Sequence, residues 1–193
     1  MRIGQDFEKS TLRSCGHVDS VRYRYTNLKQ RTEQELRASR TICSCCRATV
    51  QAWSDQLCGA PAAQTARWNA RLPQLEGTAG QLSWAASNRR LAGEHFYALL
   101  EHVSMDMQQP AAAARTVLRL LFSIPACRFW IDAKPELLSP SWLAKEVELL
   151  MRASDTLCPP MPSTSVVGYW KARRPELIET TRRNLRCPQE SAA

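Results

Sequence analysis

Residues 14–46 read SCGHVDSVRYRYTNLKQRTEQELRASRTICSCC, and this stretch predicts how the N-terminal region folds. Cys15 and His17 form one closely spaced pair, and Cys43 and Cys46 form a second pair after 25 intervening residues. Zinc prefers four tetrahedral nitrogen or sulfur ligands, and two such pairs supply them without a large hydrophobic core. The spacing therefore predicts a structural zinc site made by these four side chains.

The residues between the two pairs predict one strand and one helix. Val21, Tyr23 and Tyr25 alternate with polar residues, which is the period of a half-buried strand. Strand residues two apart point to the same side, so a strand would direct Cys15 and His17 toward one ion. The next stretch, residues 27–40, is rich in good helix formers and predicts a helix that ends near residue 41.

Two alternatives remain open at the predicted metal site. Cys45 competes with Cys46 for the fourth position, because the two thiols are adjacent in the sequence. The cysteines could instead be buried core residues, which is common for this residue type, with His17 exposed to solvent. If all four positions are filled, the metal is structural, since catalytic zinc keeps one position open for water.

The remainder of the chain predicts a mainly α fold, with a small zinc-ribbon-like N-terminal module followed by a helical domain of about five helices. Residues 58–73 contain Gly, two Pro and small residues without a clear period, and they predict a linker. Amphipathic stretches and Pro or Ser helix starts place the five helices between residues 78 and 185. The predicted divisions are a zinc-binding module at 1–57, the linker at 58–73, the helical domain core at 74–157, and a Pro-rich segment with a basic helix at 158–193.

The sequence of 193 residues has a net charge of +8, and the excess lies at its two ends. Residues 1–50 contain 10 Lys/Arg and 5 Asp/Glu, residues 51–168 contain 10 of each, and residues 169–193 contain 6 and 3. Clustered cations favour a polyanionic partner, although solvated basic ends are an equally good reading. No apolar run is long enough to span a membrane and no signal peptide is evident, which predicts a cytoplasmic protein without a membrane partner.

Basic and aromatic side chains at the two ends predict contacts with nucleic acid. Cations suit phosphate groups, and an aromatic ring beside them suits base stacking. The predicted contact residues are Arg22, Arg24, Arg40, Lys171, Arg173, Arg174 and Trp170. Gln81 and Trp84 share a helical face and form a weaker recognition candidate, whose alternative is a core tryptophan beside a helix-capping glutamine.

The order of several short motifs resembles uncharacterised proteins carried by bacterial plasmids, phages and integrative elements. The resemblance covers roughly residues 12–133, and the matching residues are Cys15, Gly16, His17, Ile42, Cys43, Cys46, Leu75, Gly77, Gln81, Trp84, Ala85, Phe129, Trp130, Ile131 and Asp132. The sequence departs from that pattern at Gly80, where a Lys is usual, and at residues 87–89, where Ile-Arg is usual. The resemblance implies a fold and a genomic setting, and it implies no established reaction.

Taken together, these features predict a non-enzymatic nucleic-acid-binding accessory protein of a mobile genetic element. No catalytic triad and no phosphate-binding glycine motif is present in the sequence, so no catalytic residue is predicted. Whether the nucleic acid is DNA or RNA stays open. The alternatives are a protein-interaction module, such as an inhibitor of a host defence complex, and a subunit of a ribonucleoprotein assembly.

Overall fold

The computed structural model describes residues 5–60, 72–106, 109–152 and 161–186. Within these ranges the chain forms nine helices and one two-stranded antiparallel sheet. In chain order the elements are β1 Gln5–Leu12, β2 Val18–Tyr25, α1 Leu28–Ser39, α2 Ser44–Leu57, α3 Ala79–Met105, α4 Ala111–Phe122, α5 Cys127–Asp132, α6 Lys134–Leu137, α7 Trp142–Met151, α8 Val166–Arg173 and α9 Pro175–Arg186. The predicted mainly α fold with a small N-terminal β element is confirmed.

The two strands form a hairpin in which Leu12 pairs with Val18 next to the turn. Tyr23 of β2 is only 2% exposed, and its ring stacks on Phe7 of β1 with 6.0 Å between the ring centroids. The predicted strand is confirmed as β2. β1 was not predicted, because Phe7 is the single large apolar residue on its inner side and the strand therefore lacks a clear hydrophobic alternation.

The predicted helix after the hairpin is confirmed as α1. The side chain of Asn27 accepts a hydrogen bond from the backbone N–H of Gln30 at 2.8 Å, which satisfies one of the free donors at the helix start. The guanidinium of Arg31 lies 4.4 Å from the centroid of the Phe7 ring. α1 therefore packs against the hairpin and carries the chain toward Cys43.

α2 was not predicted, although it contains the second cysteine pair. Val50 on its inner side is fully buried, and the helix packs against α3 and α7. Arg47 forms an ion pair with Glu148 of α7 at 2.5 Å, and Gln51 donates to the carbonyl of Pro140 at 3.0 Å. The predicted N-terminal module therefore ends in a helix that belongs to the same hydrophobic core as the helical domain.

The predicted linker falls largely on residues 61–71, which lie outside the described residues. Beyond it, the described residues contain seven helices rather than about five. The prediction missed the short α6 and also α8. The Val-Val-Gly start of α8 is unfavourable for a helix. Ser165 caps α8, because its side-chain oxygen accepts a hydrogen bond from the N–H of Gly168 at 3.1 Å. α3 runs without a break through Gly93, although glycine is unfavourable in a helix interior.

The start of α3 is joined closely to α5. The backbone of Glu76 forms two hydrogen bonds with the residues around the start of α5. Its N–H donates to the carbonyl of Pro125 at 2.8 Å, and its carbonyl accepts from the N–H of Cys127 at 3.0 Å. A Cβ on Gly77 would lie 2.7 Å from the Cβ of Cys127, so only glycine allows this approach. Asn88, which is buried, donates to the carbonyl of Trp130 at 3.1 Å. Two motif residues of the resemblance, Gly77 and Trp130, thus take part in the packing contact between the start of α3 and α5.

Buried polar side chains attach the last two helices to α7. Arg182 of α9 is 2% exposed and donates to the carbonyls of Leu149 and Leu150 at 2.9 and 3.1 Å, near the end of α7. Glu146 of α7 is 3% exposed and accepts from the N–H of Val167 in the first turn of α8 at 3.1 Å. These bonds satisfy backbone groups at helix ends that would otherwise lack partners.

None of the helices in the described ranges combines the length and the apolar character needed to cross a membrane.

Candidate metal centre

Cys15 and His17 lie in the turn that connects β1 and β2, and not on a strand as the sequence had suggested. The turn is closed by hydrogen bonds from Arg13 to the carbonyl of His17 at 2.8 Å and from Gly16 to the carbonyl of Arg13 at 3.0 Å. Gly16 has a φ of +81°, in the left-handed region that favours glycine. The close spacing of Cys15 and His17 therefore comes from a tight turn around Gly16.

The second pair lies at the start of α2. Cys43 is the N-cap residue, and its Sγ accepts from the backbone N–H of Cys46 at 3.3 Å. Cys46 occupies the first turn of the helix and is 2% exposed, whereas the adjacent Cys45 is exposed to solvent. Of the two thiols that competed for the fourth position, Cys46 is the one that faces the other ligands. The partial positive charge at a helix N-terminus favours thiolates at these two positions.

Contacts between backbone and side chains hold the turn against the start of α2. The N–H of Ser14 donates to the carbonyl of Thr41 at 3.0 Å, and the guanidinium of Arg13 donates to the carbonyl of Ile42 at 2.9 Å. Asp19 of β2 accepts from the backbone N–H of Ser44 at 3.1 Å. Sequence reasoning missed Arg13 and Asp19, because nothing in their local pattern indicates a partner about 25 residues away.

The four predicted ligand atoms converge on one point. The Nδ1 atom of His17 lies 3.1 Å from the Sγ of Cys46 and 3.7 Å from the Sγ of Cys43, and the N–H of Cys43 donates to the Sγ of Cys15 at 3.2 Å. All four ligand atoms lie within 4.8 Å of one another. Tetrahedral zinc ligands are separated by about 3.5 to 3.8 Å, given metal–ligand bonds of about 2.0 to 2.3 Å. The cluster could therefore hold a metal ion, and its donor atoms are consistent with structural zinc.

The thiols of the cluster influence one another strongly. Burial raises the pKa of Cys15, but hydrogen bonds from the backbone N–H groups of Cys43 and His17 outweigh burial and lower the pKa to about 7. Burial and the neighbouring thiols of Cys43 and Cys15 raise the pKa of Cys46. Three thiolates in one buried cluster repel one another, and a divalent cation would remove that repulsion and favour deprotonation of all of them.

The predicted nucleic-acid contacts are divided between two separate sets of elements. Arg22 and Arg24 are exposed on β2, and Arg40 is the C-cap residue of α1. The Nε of Arg24 lies 3.2 Å from a carboxylate oxygen of Asp6, and Arg22 is directly opposite Glu8 on β1. On the N-terminal side, the cations of the hairpin therefore have acidic neighbours.

The predicted nucleic-acid contacts of the C-terminal region lie on α8 and on Arg174, the residue that follows this helix. Trp170 is half-buried, and its Nε1–H donates to the carbonyl of Leu120 at 3.0 Å, so its ring packs on the core. Lys171 is half-buried as well. Arg173 is exposed, and its guanidinium lies 3.8 Å from the centroid of the Tyr169 ring. Arg174 forms an ion pair with Glu176 at 3.3 Å. The helix itself, α8, packs against α4, α7 and α9.

The weaker recognition candidate has two different outcomes. Gln81 accepts from the backbone N–H of Thr78 at 3.1 Å, so its predicted capping role is confirmed. Trp84 is 63% exposed, so the expectation that it is a core residue is wrong.

Comparison with known proteins gives no matching family model, no matching curated protein and no matching solved structure. The resemblance to proteins of mobile elements therefore stays a prediction from the motifs.

Proposed function

We propose that Cys15, His17, Cys43 and Cys46 hold one structural zinc ion. The proposal is supported by the convergence of three sulfur atoms and one imidazole nitrogen within 4.8 Å, which is the donor set that zinc prefers. Four protein ligands leave no position for water, so this zinc would not act as a catalyst. It would join the hairpin turn to the start of α2.

The metal content of the purified full-length chain tests the zinc proposal. We expect about one equivalent of zinc per chain, and we expect Cys43→Ser to lose it. Cys58→Ser is the matched control, because Cys58 lies at the end of α2, outside the cluster, and burial raises its pKa to about 11. Wild-type protein without metal, or equal metal content in both variants, would contradict the proposal.

For the whole chain we propose a non-enzymatic role in binding nucleic acid, as an accessory protein of a mobile genetic element. The observation that carries this proposal is the net charge of +8, which comes from the two ends of the chain. Cationic proteins gain affinity for nucleic acid by releasing the counterions condensed on phosphate groups. The motif resemblance supports the genomic setting, and neither DNA nor RNA is preferred.

Salt dependence is the appropriate test of this role. We expect affinity for short DNA or RNA to fall steeply as the salt concentration rises, with a linear relation between the logarithms of both quantities. Binding that is absent at low salt, or that does not respond to salt, would contradict a nucleic-acid role.

A protein-interaction role is the second candidate, and the exposure of Trp84 supports it. Residues 79–88 (AGQLSWAASN) contain no charged side chain, and both Leu82 and Trp84 are exposed there, at 38% and 63%. Exposed aromatic residues on an uncharged surface are typical anchors for protein partners. Capture from a host lysate would favour this role if the partner resists nuclease treatment and is lost with Trp84→Ala.

A further inference from the structure

The two basic regions differ in how their charges are neutralised. On the hairpin, every basic residue of β1 and β2 has a nearby carboxylate. Lys9 pairs with Glu35 of α1 at 3.3 Å, Arg24 pairs with Asp6 at 3.2 Å, and Arg22 is opposite Glu8 in the strand register. Charges of both signs alternate over a few ångströms, so their fields largely cancel beyond about one Debye length of 8 to 10 Å.

The C-terminal helices have a clear excess of cations. Residues 166–186 contain six Lys or Arg and two Glu, so this segment has a net charge of +4. One of the two carboxylates, Glu179, pairs with the buried Arg182 at 3.1 Å, and the other, Glu176, pairs with Arg174. Neither of them neutralises Arg183, which is exposed and forms no ion pair with any described residue.

Two of these six cations, Lys171 and Arg173, lie on α8. Arg173 is exposed while its guanidinium lies over the Tyr169 ring, a contact that orients the group and does not neutralise it. Burial lowers the pKa of Lys171, and so do the nearby charges of Arg182 and Arg152, with Glu179 acting in the opposite direction. Lys171 of α8, Arg182 of α9 and Arg152, which follows α7, are thus close enough to repel one another, and a bound anion would relieve that repulsion.

We infer that the phosphodiester backbone of a nucleic acid binds along the exposed side of α8 and α9, and that the hairpin does not contact it. The inference rests on the proposed nucleic-acid function and assigns its contact surface. Arg173 and Arg183 supply phosphate contacts, since both are exposed and neither forms an ion pair with a carboxylate among the described residues. The shared chemistry is the phosphodiester group, so the surface would accept single-stranded and duplex forms.

Matched double variants of the full zinc-loaded chain test the inference. Arg173→Gln with Arg183→Gln removes two charges from the C-terminal surface, and Arg22→Gln with Arg24→Gln removes two charges from the hairpin. The probes are a fluorescent single strand and a duplex of about 20 nucleotides, titrated by anisotropy at about 50 to 300 mM salt. Circular dichroism checks that each variant is folded, and Arg173→Lys with Arg183→Lys restores the charge.

For the C-terminal variant, the slope of log affinity against log salt should decrease by about 1.4 for a single strand and about 1.8 for a duplex. At about 0.1 M salt this corresponds to roughly 25-fold and 60-fold weaker binding. The lysine variant should recover most of that loss, and the hairpin variant should stay near wild type.

Two results would overturn the inference. If the hairpin variant loses as much of the slope as the C-terminal variant, or more, the hairpin contacts the backbone while the proposed function survives. If the wild type binds neither probe in a salt-dependent way, the proposed function fails together with the inference.

Discussion

Glu146 gives the stability of this protein a pH dependence that a single substitution should remove. The carboxyl group is 3% exposed and accepts hydrogen bonds from the hydroxyl of Ser165 and the N–H of Val167, both at 3.1 Å. Burial raises its pKa from 4.5 to about 7, and the two hydrogen bonds offset only part of this effect. The neighbouring carboxylate of Glu136 raises the pKa further.

The sign of the effect follows from the direction of the pKa shift. Because the folded protein holds the proton of Glu146 more tightly than the unfolded chain, its contribution to stability is complete below about pH 4.5 and is lost as the pH rises through about 7. The rise of the Glu146 pKa from 4.5 to about 7 corresponds to about 3 kcal/mol of stability, of which about 2.5 kcal/mol is lost between about pH 5 and pH 8.

Glu146→Gln keeps an oxygen for Ser165 and Val167 but has no proton to release. Urea unfolding followed by circular dichroism at several pH values should show the wild type losing about 2.5 kcal/mol more than this variant between about pH 5 and pH 8. Glu101→Gln is the matched control, because Glu101 is exposed on α3 and is not one of the groups that shift the pKa of Glu146. Parallel pH profiles for wild type and Glu146→Gln would refute the reasoning.

Two further predictions concern the packing contact of α3 and the choice of ligand. Gly77→Ala should lower the free energy of unfolding by about 1 to 3 kcal/mol, because the new Cβ would overlap Cys127, whereas Gly80→Ala, with no atom within 4 Å, should raise it by about 0.5 to 1 kcal/mol. Thermal or urea unfolding separates the two, and equal effects would show that Gly77 tolerates a side chain. Cys46→Ser should abolish zinc binding while Cys45→Ser retains it; the reverse metal contents would identify Cys45 as the ligand.

The Cys/His cluster could be predicted from the sequence because it depends on short spacings within each pair. Cys15 and His17 are brought together by one tight turn, and Cys43 and Cys46 by the first turn of a helix, so each pair needs only local geometry. The strand explanation for the first pair was wrong, since a left-handed Gly16 achieves the same convergence. Ligand spacing is compatible with more than one backbone conformation, so it predicts the site better than the elements that carry it.

Contacts between distant segments could not be predicted in the same way. α2 carries Cys46, Val50, Trp53 and Leu57 at helical spacing, so the helix itself is compatible with its local pattern. Its position in the fold depends on Val50 packing in the core that α2 shares with α3 and α7. Trp170 belongs to a residue type that suits base stacking, yet its indole N–H donates to the carbonyl of Leu120, 50 positions earlier in the chain. A residue type indicates what a side chain is able to contact, and the tertiary fold decides which contact it makes.

The position of the cluster determines how metal loss should affect the rest of the protein. From the sequence, removal of zinc is expected to unfold residues 12–50 and leave the helical domain largely helical, because a separate core is expected there. In the structure, Ile42, Cys46 and Val50 are each less than 3% exposed and belong to the hydrophobic core that also contains α3 and α7. Without the metal, the start of α2 would lose one of its links to the hairpin turn, and the same helix covers part of that core. Zinc binding should therefore stabilise the helical domain as well as the hairpin, because α2 is shared by both.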